Sequence, residues 1–160
     1  MAANLSAVMS YTAAQGREQI LQVLAGAAEE IASALASLSE AHERLDDHSA
    51  ERLEGDLFRS VQLAYGRAQR TYSDFADRSG LETRVIQPRP AGAPSGAIKS
   101  FIDSAIAAVE MANSQLAELQ DSMLPVEVGD AQLRAGIADI RGLIDGLRGR
   151  AREFVRTLGR

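Results

Sequence analysis

The sequence predicts an all-α fold: a four-helix bundle of two helical hairpins with an additional N-terminal helical arm. Three observations predict it. Ile20, Leu24, Ala27, Ile31, Ala34, Leu38, Ala41 and Leu45 step by four, three, four, three without interruption, which keeps one apolar stripe on one side of a helix. The same spacing returns in Ile98, Ile102, Ala105, Val109, Ala112, Leu116, Leu119 and Met123, and again in Leu133, Ile137, Ile140, Ile144, Leu147, Ala151, Phe154 and Leu158. Two turns are short and one connection is long and proline-bearing, which pairs the helices into hairpins. Sustained four-three spacing implies near-parallel packing at about 20° with side chains interdigitating as in a coiled coil.

A chain of 160 residues fits one domain and buries roughly 70% of its unfolded surface, enough for a core without covalent staples. The expected division is an arm at 1–16, a first hairpin at 17–78, a connector at 79–95 and a second hairpin at 96–158. Cysteine is absent, which removes disulfides, thiolate metal sites and cysteine nucleophiles. Met1 to Ser10 lacks a basic segment followed by an apolar run, and no unbroken run of about 18 apolar residues is present. The expectation is a soluble, cytoplasmic protein.

The net charge of −5 argues against general nucleic-acid affinity, which requires cationic surface. Its distribution is uneven. Residues 1–58 carry ten acids against three arginines, net −7, whereas 141–160 carry six arginines against two acids, net +4. Such asymmetry can orient a partner or a second protomer; arginines in a last helical turn also simply complement the helix dipole.

In chain order, Leu5, Val8, Met9 and Thr12 lie on one side of a helix-prone segment that Gly16 interrupts. An unbroken helix from Leu5 to Asp46 would be about 63 Å long, longer than any other segment here. Either Gly16 marks a kink or break, or the N-terminal turns project and pack on a second copy. Ala27, Ala34 and Ala41 alternate with Leu24, Ile31, Leu38 and Leu45, and an alanine seam lets a partner helix approach closely. Asp46-Asp47-His48-Ser49 suit a tight turn and an N-cap.

The second helix is expected over Ala50–Arg78 with Leu57, Val61, Ala64, Ala68 and Phe75 on its stripe, and Phe58, Tyr65 and Tyr72 recurring every seven residues beside it. That aromatic edge reads as a ligand or partner platform, or as core with two hydroxyls reaching solvent. Ser79-Gly80 suits a helix C-terminus. The connector, with Pro88, Pro90 and Pro94, can reach over about 40 Å. It either returns along the bundle, leaving helices two and three parallel, or loops locally and leaves them antiparallel. Ser95 is the expected N-cap of the third helix, whose Ala105 and Ala112 repeat the small-large alternation of the first; helices one and three are therefore the expected closest pair. Pro125 and Gly129 mark the next turn, with Asp130 as N-cap.

Metal-ligand residue types cluster only around His42, Asp46, His48 and Glu51. A di-iron bundle would need Glu-x-x-His on two helices and further core carboxylates, and the sequence contains no Glu-x-x-His. These four are weak metal candidates, and no cofactor is expected. Gly136, Gly142, Gly146 and Gly149 all lie off the apolar stripe of the last helix. Gly142, Gly146 and Gly149 share one face and form, with Leu5, Val8 and Met9, the candidate interface with a second copy. No Gly-x-Ser-x-Gly elbow or phosphate-binding glycine loop occurs, so no catalytic residues are named. The terminal segment, with Arg148, Arg150, Arg152 and Arg156 around Phe154 and Val155, alone has the composition of a membrane-surface helix.

The expected function is a non-enzymatic helical interaction or scaffolding protein that forms a homodimer and takes a protein partner, without nucleic acid. The alternatives are a ligand-binding or metal-dependent enzyme using the tyrosine edge or the acidic turn, and a lipid-surface-associating protein.

Overall fold

The computed structural model describes residues 2–88 and 96–158, with 2–11 as backbone only. Regular secondary structure among the described residues is entirely helical. In order these are α1 (Ala2–Glu43), α2 (Asp47–Leu53), a single π turn (Glu54–Phe58), α3 (Arg59–Ser79), α4 (Ile98–Asp121), α5 (Leu124–Glu127), α6 (Ala131–Ile144) and α7 (Leu147–Leu158).

α1 is the axis of the molecule. Ile20, Leu24, Ala27, Ile31, Ala34, Leu38 and Ala41 are at most 1% exposed, and Leu45 packs at the margin of the core. Leu21, Ala25, Ala28 and Ala32 are buried too, because α3 and α4 cover different sides of the same helix. By length and composition alone, the Thr12–Glu43 part of α1 would be long and apolar enough to cross a membrane. Counting unbroken apolar runs misses this, since Glu29 and Glu30 interrupt the stretch. Most of it is buried inside the protein.

The most extensive helix pair is α1 with α4, as the matching alanine seams predict. Ala105 and Ala112 of α4 are fully buried. Small side chains on both helices let the backbones approach, while each fully buried Leu or Ile between them contributes about 1.5–3 kcal/mol.

Helix polarity follows from which ends meet. The Arg44 guanidinium sits 4.7 Å from the Phe101 ring centroid at one end of the α1–α4 pair, and Gly26 faces Gln115 toward the other, so α4 runs antiparallel to α1. Tyr72, Gly80 and Leu81 gather beside Glu18, Leu21 and Gln22, whereas Glu54 meets His42; α3 therefore also opposes α1. Helices α3 and α4 are parallel, and the connector returns along the molecule. Its described part does so on specific contacts. The Tyr72 hydroxyl accepts from Arg84 N at 2.9 Å, and Arg84 forks onto Glu29 at 2.8 and 3.0 Å.

The last helices run back along α3: Arg78 meets Asp130, Arg67 meets Asp139, Arg150 meets Ser60 and Arg52 meets Thr157. Pairing does not simply follow the expected hairpins. α3 packs on both α1 and α6, while α4 touches α6 and α7 far less than it touches α1.

The turn chemistry is as the residues suggest. Asp46 Oδ1 accepts from Ser49 N at 2.8 Å, and Asp130 Oδ1 from Leu133 N at 2.8 Å. Gly80, at φ 67°, ends α3 with Leu81 N donating to Ala76 O and Gly80 N to Asp77 O, the paired bonds of a Schellman cap. Ser95 and the connector residues 89–95 lie outside the described residues.

The structure decides between the two readings of Gly16: α1 passes through it without a break. Gly16 is buried because Val128 and Leu124 press on it, so that a Cβ there would lie 3.0 Å from Val128 Cγ2. The second helical segment starts at Asp47 rather than Ala50 and contains the π turn. Leu53, Leu57 and Val61 are all at most 1% exposed, yet two successive four-residue steps would carry a stripe about 80° around a regular helix. The wider turn absorbs that drift.

Met123 is not core. It is 49% exposed at φ 66°, because Pro125 cannot sit one turn beyond Asp121 in a continuing helix. The last helix is broken between Ile144 and Leu147, with Gly146 at φ 75°. Finally, Gly136 is buried against Thr71 rather than lying off the packed face.

Candidate functional site

The acidic turn forms where α1 ends and α2 begins. Arg44 N and Leu45 N donate to Ala41 O and His42 O, tightening the last turn of α1. Hydrogen bonds from Ser49 then hold the Asp46 carboxyl below its ordinary value, so this side chain serves as a cap. His42 Nε2 lies 3.3 Å from Glu54 Oε1. His42, His48 and Glu51 line one shallow hollow of about 520 Å³ with Asp47, Ala50 and Glu54; Asp46 is not part of it. Among the described residues, no three His, Asp or Glu side chains converge as a metal-ligand set.

The aromatic edge divides. Tyr72 is buried and its hydroxyl anchors the connector, while the half-buried Tyr65 accepts from Gln69 Nε2 at 3.0 Å. Phe58 packs partly buried against the core.

Gly142, Gly146 and Gly149 are exposed, and a Cβ at any of them would meet nothing within 4 Å. They share no continuous helix, since the chain is interrupted at Gly146 between α6 and α7. Close approach within the chain occurs instead at Gly136. A Cβ there would stand 2.5 Å from Thr71 Oγ1. The side chains of Leu5, Val8 and Met9 lie outside the described residues.

Two hollows were not anticipated. The first, about 450 Å³, opens between α1 and α4 and is walled by Gln19, Gln22, Gln115 and Ser122 around Val23 and Leu119. Gln115 Oε1 is buried there without a hydrogen-bond partner among the described residues.

The second, about 580 Å³, is a groove between α4 and α7. Ile106, Ala107, Ala151 and Val155 form its apolar lining, and Lys99, Asp103, Glu110, Arg148, Arg152 and Arg156 form its rim. The rim is mostly paired: Lys99 with Asp103, Arg148 with Glu110, and Arg156 with Glu153 at the flank. Arg152 is exposed and enters no ion pair among the described residues. The arginine-rich composition of residues 148–156 was legible beforehand; that Phe154 turns into the core while Val155 faces a groove was not.

The groove falls in the size range of small-ligand sites, but it is open, and its lining holds no histidine, serine or cysteine nucleophile. What it can do chemically is bury an apolar side chain or tail and neutralise an anion beside it. Comparison with known proteins adds no constraint, as no protein-family model, curated protein or solved structure matches the chain.

Proposed function

We propose that this chain is a non-enzymatic helical interaction or scaffolding protein, a four-helix bundle of two hairpins that self-associates. The observation that carries the reading is the α4–α7 groove, which offers apolar burial and, among the described residues, a guanidinium in no ion pair, but no group in its lining placed to break or form a bond. The continuation of α1 supports it. From Gly16, where α1 meets Val128, the helix extends back to Ala2, about 21 Å, and a helix of that length is marginal in water unless something packs on it. Leu5, Val8 and Met9 place apolar residues on one side of that arm, and a second copy packing there makes a homodimer.

The test is deletion of residues 1–15 followed by sedimentation equilibrium and circular dichroism. The reading predicts weaker dimerisation with the helical core retained. An unchanged oligomer without these residues would remove the arm from the interface.

A further inference from the structure

We infer that copies of this chain bind one another head to tail, the α5 corner of one copy seating in the α4–α7 groove of the next. This deepens the interaction reading above and rests on it, but it names a contact separate from the N-terminal arm.

Two surfaces with matching chemistry lie on different parts of the molecule, one at the C-terminal end of α4 and one along its first half. At the α5 end, Met123 and Val126 are 49% and 55% exposed. They are flanked by Asp121 and Glu127, exposed carboxylates that enter no ion pair among the described residues. Met123 is the described non-glycine residue at positive φ, a conformation that costs free energy and here turns an apolar side chain into solvent. Along the first half of α4 lies a groove with an apolar lining and a cation, Arg152, that enters no ion pair among the described residues. One surface is apolar with spare negative charge. The other is apolar with spare positive charge.

Their placement excludes a contact within one chain. α5 packs on Gly16, near the start of the core part of α1, whereas the groove uses the first half of α4, the half that begins beside Arg44. Along α4 itself, Ile106 in the groove and Asp121 beside the knob are about 22 Å apart, and α5 is held against Gly16, so the α5 corner cannot reach its own groove. A second copy supplies the complement. Because knob and groove are different surfaces, the contact is heterologous and propagates into a ring or an open chain instead of closing as a symmetric pair. Burial of Met123 and Val126 supplies the apolar contact, and Arg152 facing Asp121 or Glu127 sets polarity and partner choice.

The experiment is sedimentation velocity over a concentration series on three full-length proteins: wild type, Arg152→Glu in the groove and Val126→Glu on the knob. Both substitution sites are exposed, and circular dichroism melts confirm that each variant is folded. The expected result is a wild-type mass that keeps rising above the dimer, with loss of that growth in each variant alone. Mixing the two variants is decisive, since Arg152→Glu keeps an intact knob and Val126→Glu an intact groove. The mixture regains one contact and gives a 1:1 complex that grows no further by this route.

Growth of either variant like wild type would overturn the inference, as would a mixture that shows no added complex. A wild-type dimer that plateaus, and that is lost on deleting residues 1–15, would overturn head-to-tail binding while leaving the interaction reading intact. A wild type that stays monomeric would overturn it as well, leaving the groove to a foreign acidic amphipathic segment.

Discussion

Gly136 of α6 faces Thr71 of α3 so closely that a methyl group on Gly136 would lie 2.5 Å from Thr71 Oγ1 and 2.7 Å from its Cγ2. Thr71 is 5% exposed, and its hydroxyl donates to Arg67 O at 2.7 Å, so the side chain has little room to withdraw. The α3–α6 separation is therefore set by the absence of a side chain at one position.

Gly136→Ala should destabilise the protein despite alanine's better helix propensity. Overpacking costs about 1–3 kcal/mol, against a gain of about 1 kcal/mol for replacing a helical glycine. In a Thr71→Ala background the same change should become neutral or stabilising, because the two sites share one contact. Urea titration of the four proteins of the cycle measures it; equal effects of Gly136→Ala in both backgrounds would show that the contact does not exist.

Ala34→Leu tests the seam on the other side of the molecule. Ala34 is fully buried on α1, and a leucine there should cost about 1–3 kcal/mol by forcing neighbouring helices apart. A melting temperature equal to wild type would mean that Ala34 does not face a neighbouring helix.

Asp130 joins the fourth segment to the second. Its carboxylate accepts from Arg78 Nε at 2.7 Å and Nη2 at 3.0 Å while capping α6 through Leu133 N. The Arg78 hydrogen bonds, then the cap and the nearby charges, hold its pKa below the ordinary 3.8. A carboxyl with a lowered folded pKa stabilises the fold fully above the unfolded value and loses that contribution as pH falls through the folded value.

Asp130→Ala should therefore cost about 1 kcal/mol at neutral pH, mainly from the cap, with little added by the partly exposed ion pair. The difference in melting temperature between wild type and variant should shrink once the pH drops below 3.8. A difference that stays constant on acidification would contradict this assignment.

Much of the fold was legible because periodicity reports directly on burial. The Ala27-Ala34-Ala41 series and its echo at Ala105 and Ala112 identified α1 and α4 as closest neighbours, and Asp46, Asp130 and Gly80 end or begin helices by local chemistry alone. What escaped depends on partners distant in sequence. Gly136 is off its own helix's stripe and becomes core only because Thr71 stands opposite. The break at Gly146 was hidden because Ile144 and Leu147 keep the four-three spacing across it and are both buried. Met123 fits the stripe by count yet leaves the helix, since Pro125 overrides the period. The α4–α7 groove was only half visible: its arginines showed in the composition, but its apolar lining joins Ile106 and Ala107 of one helix to Ala151 and Val155 of another, far along the chain.

Native mass spectrometry of the protein purified from its own cells, paired with metal analysis, tests the interaction reading most directly. The account predicts assemblies at integral multiples of the 17.1 kDa chain, with at least two copies, no stoichiometric metal and no bound small molecule. A single chain carrying stoichiometric iron, manganese or zinc would contradict it and move the functional centre to the acidic turn.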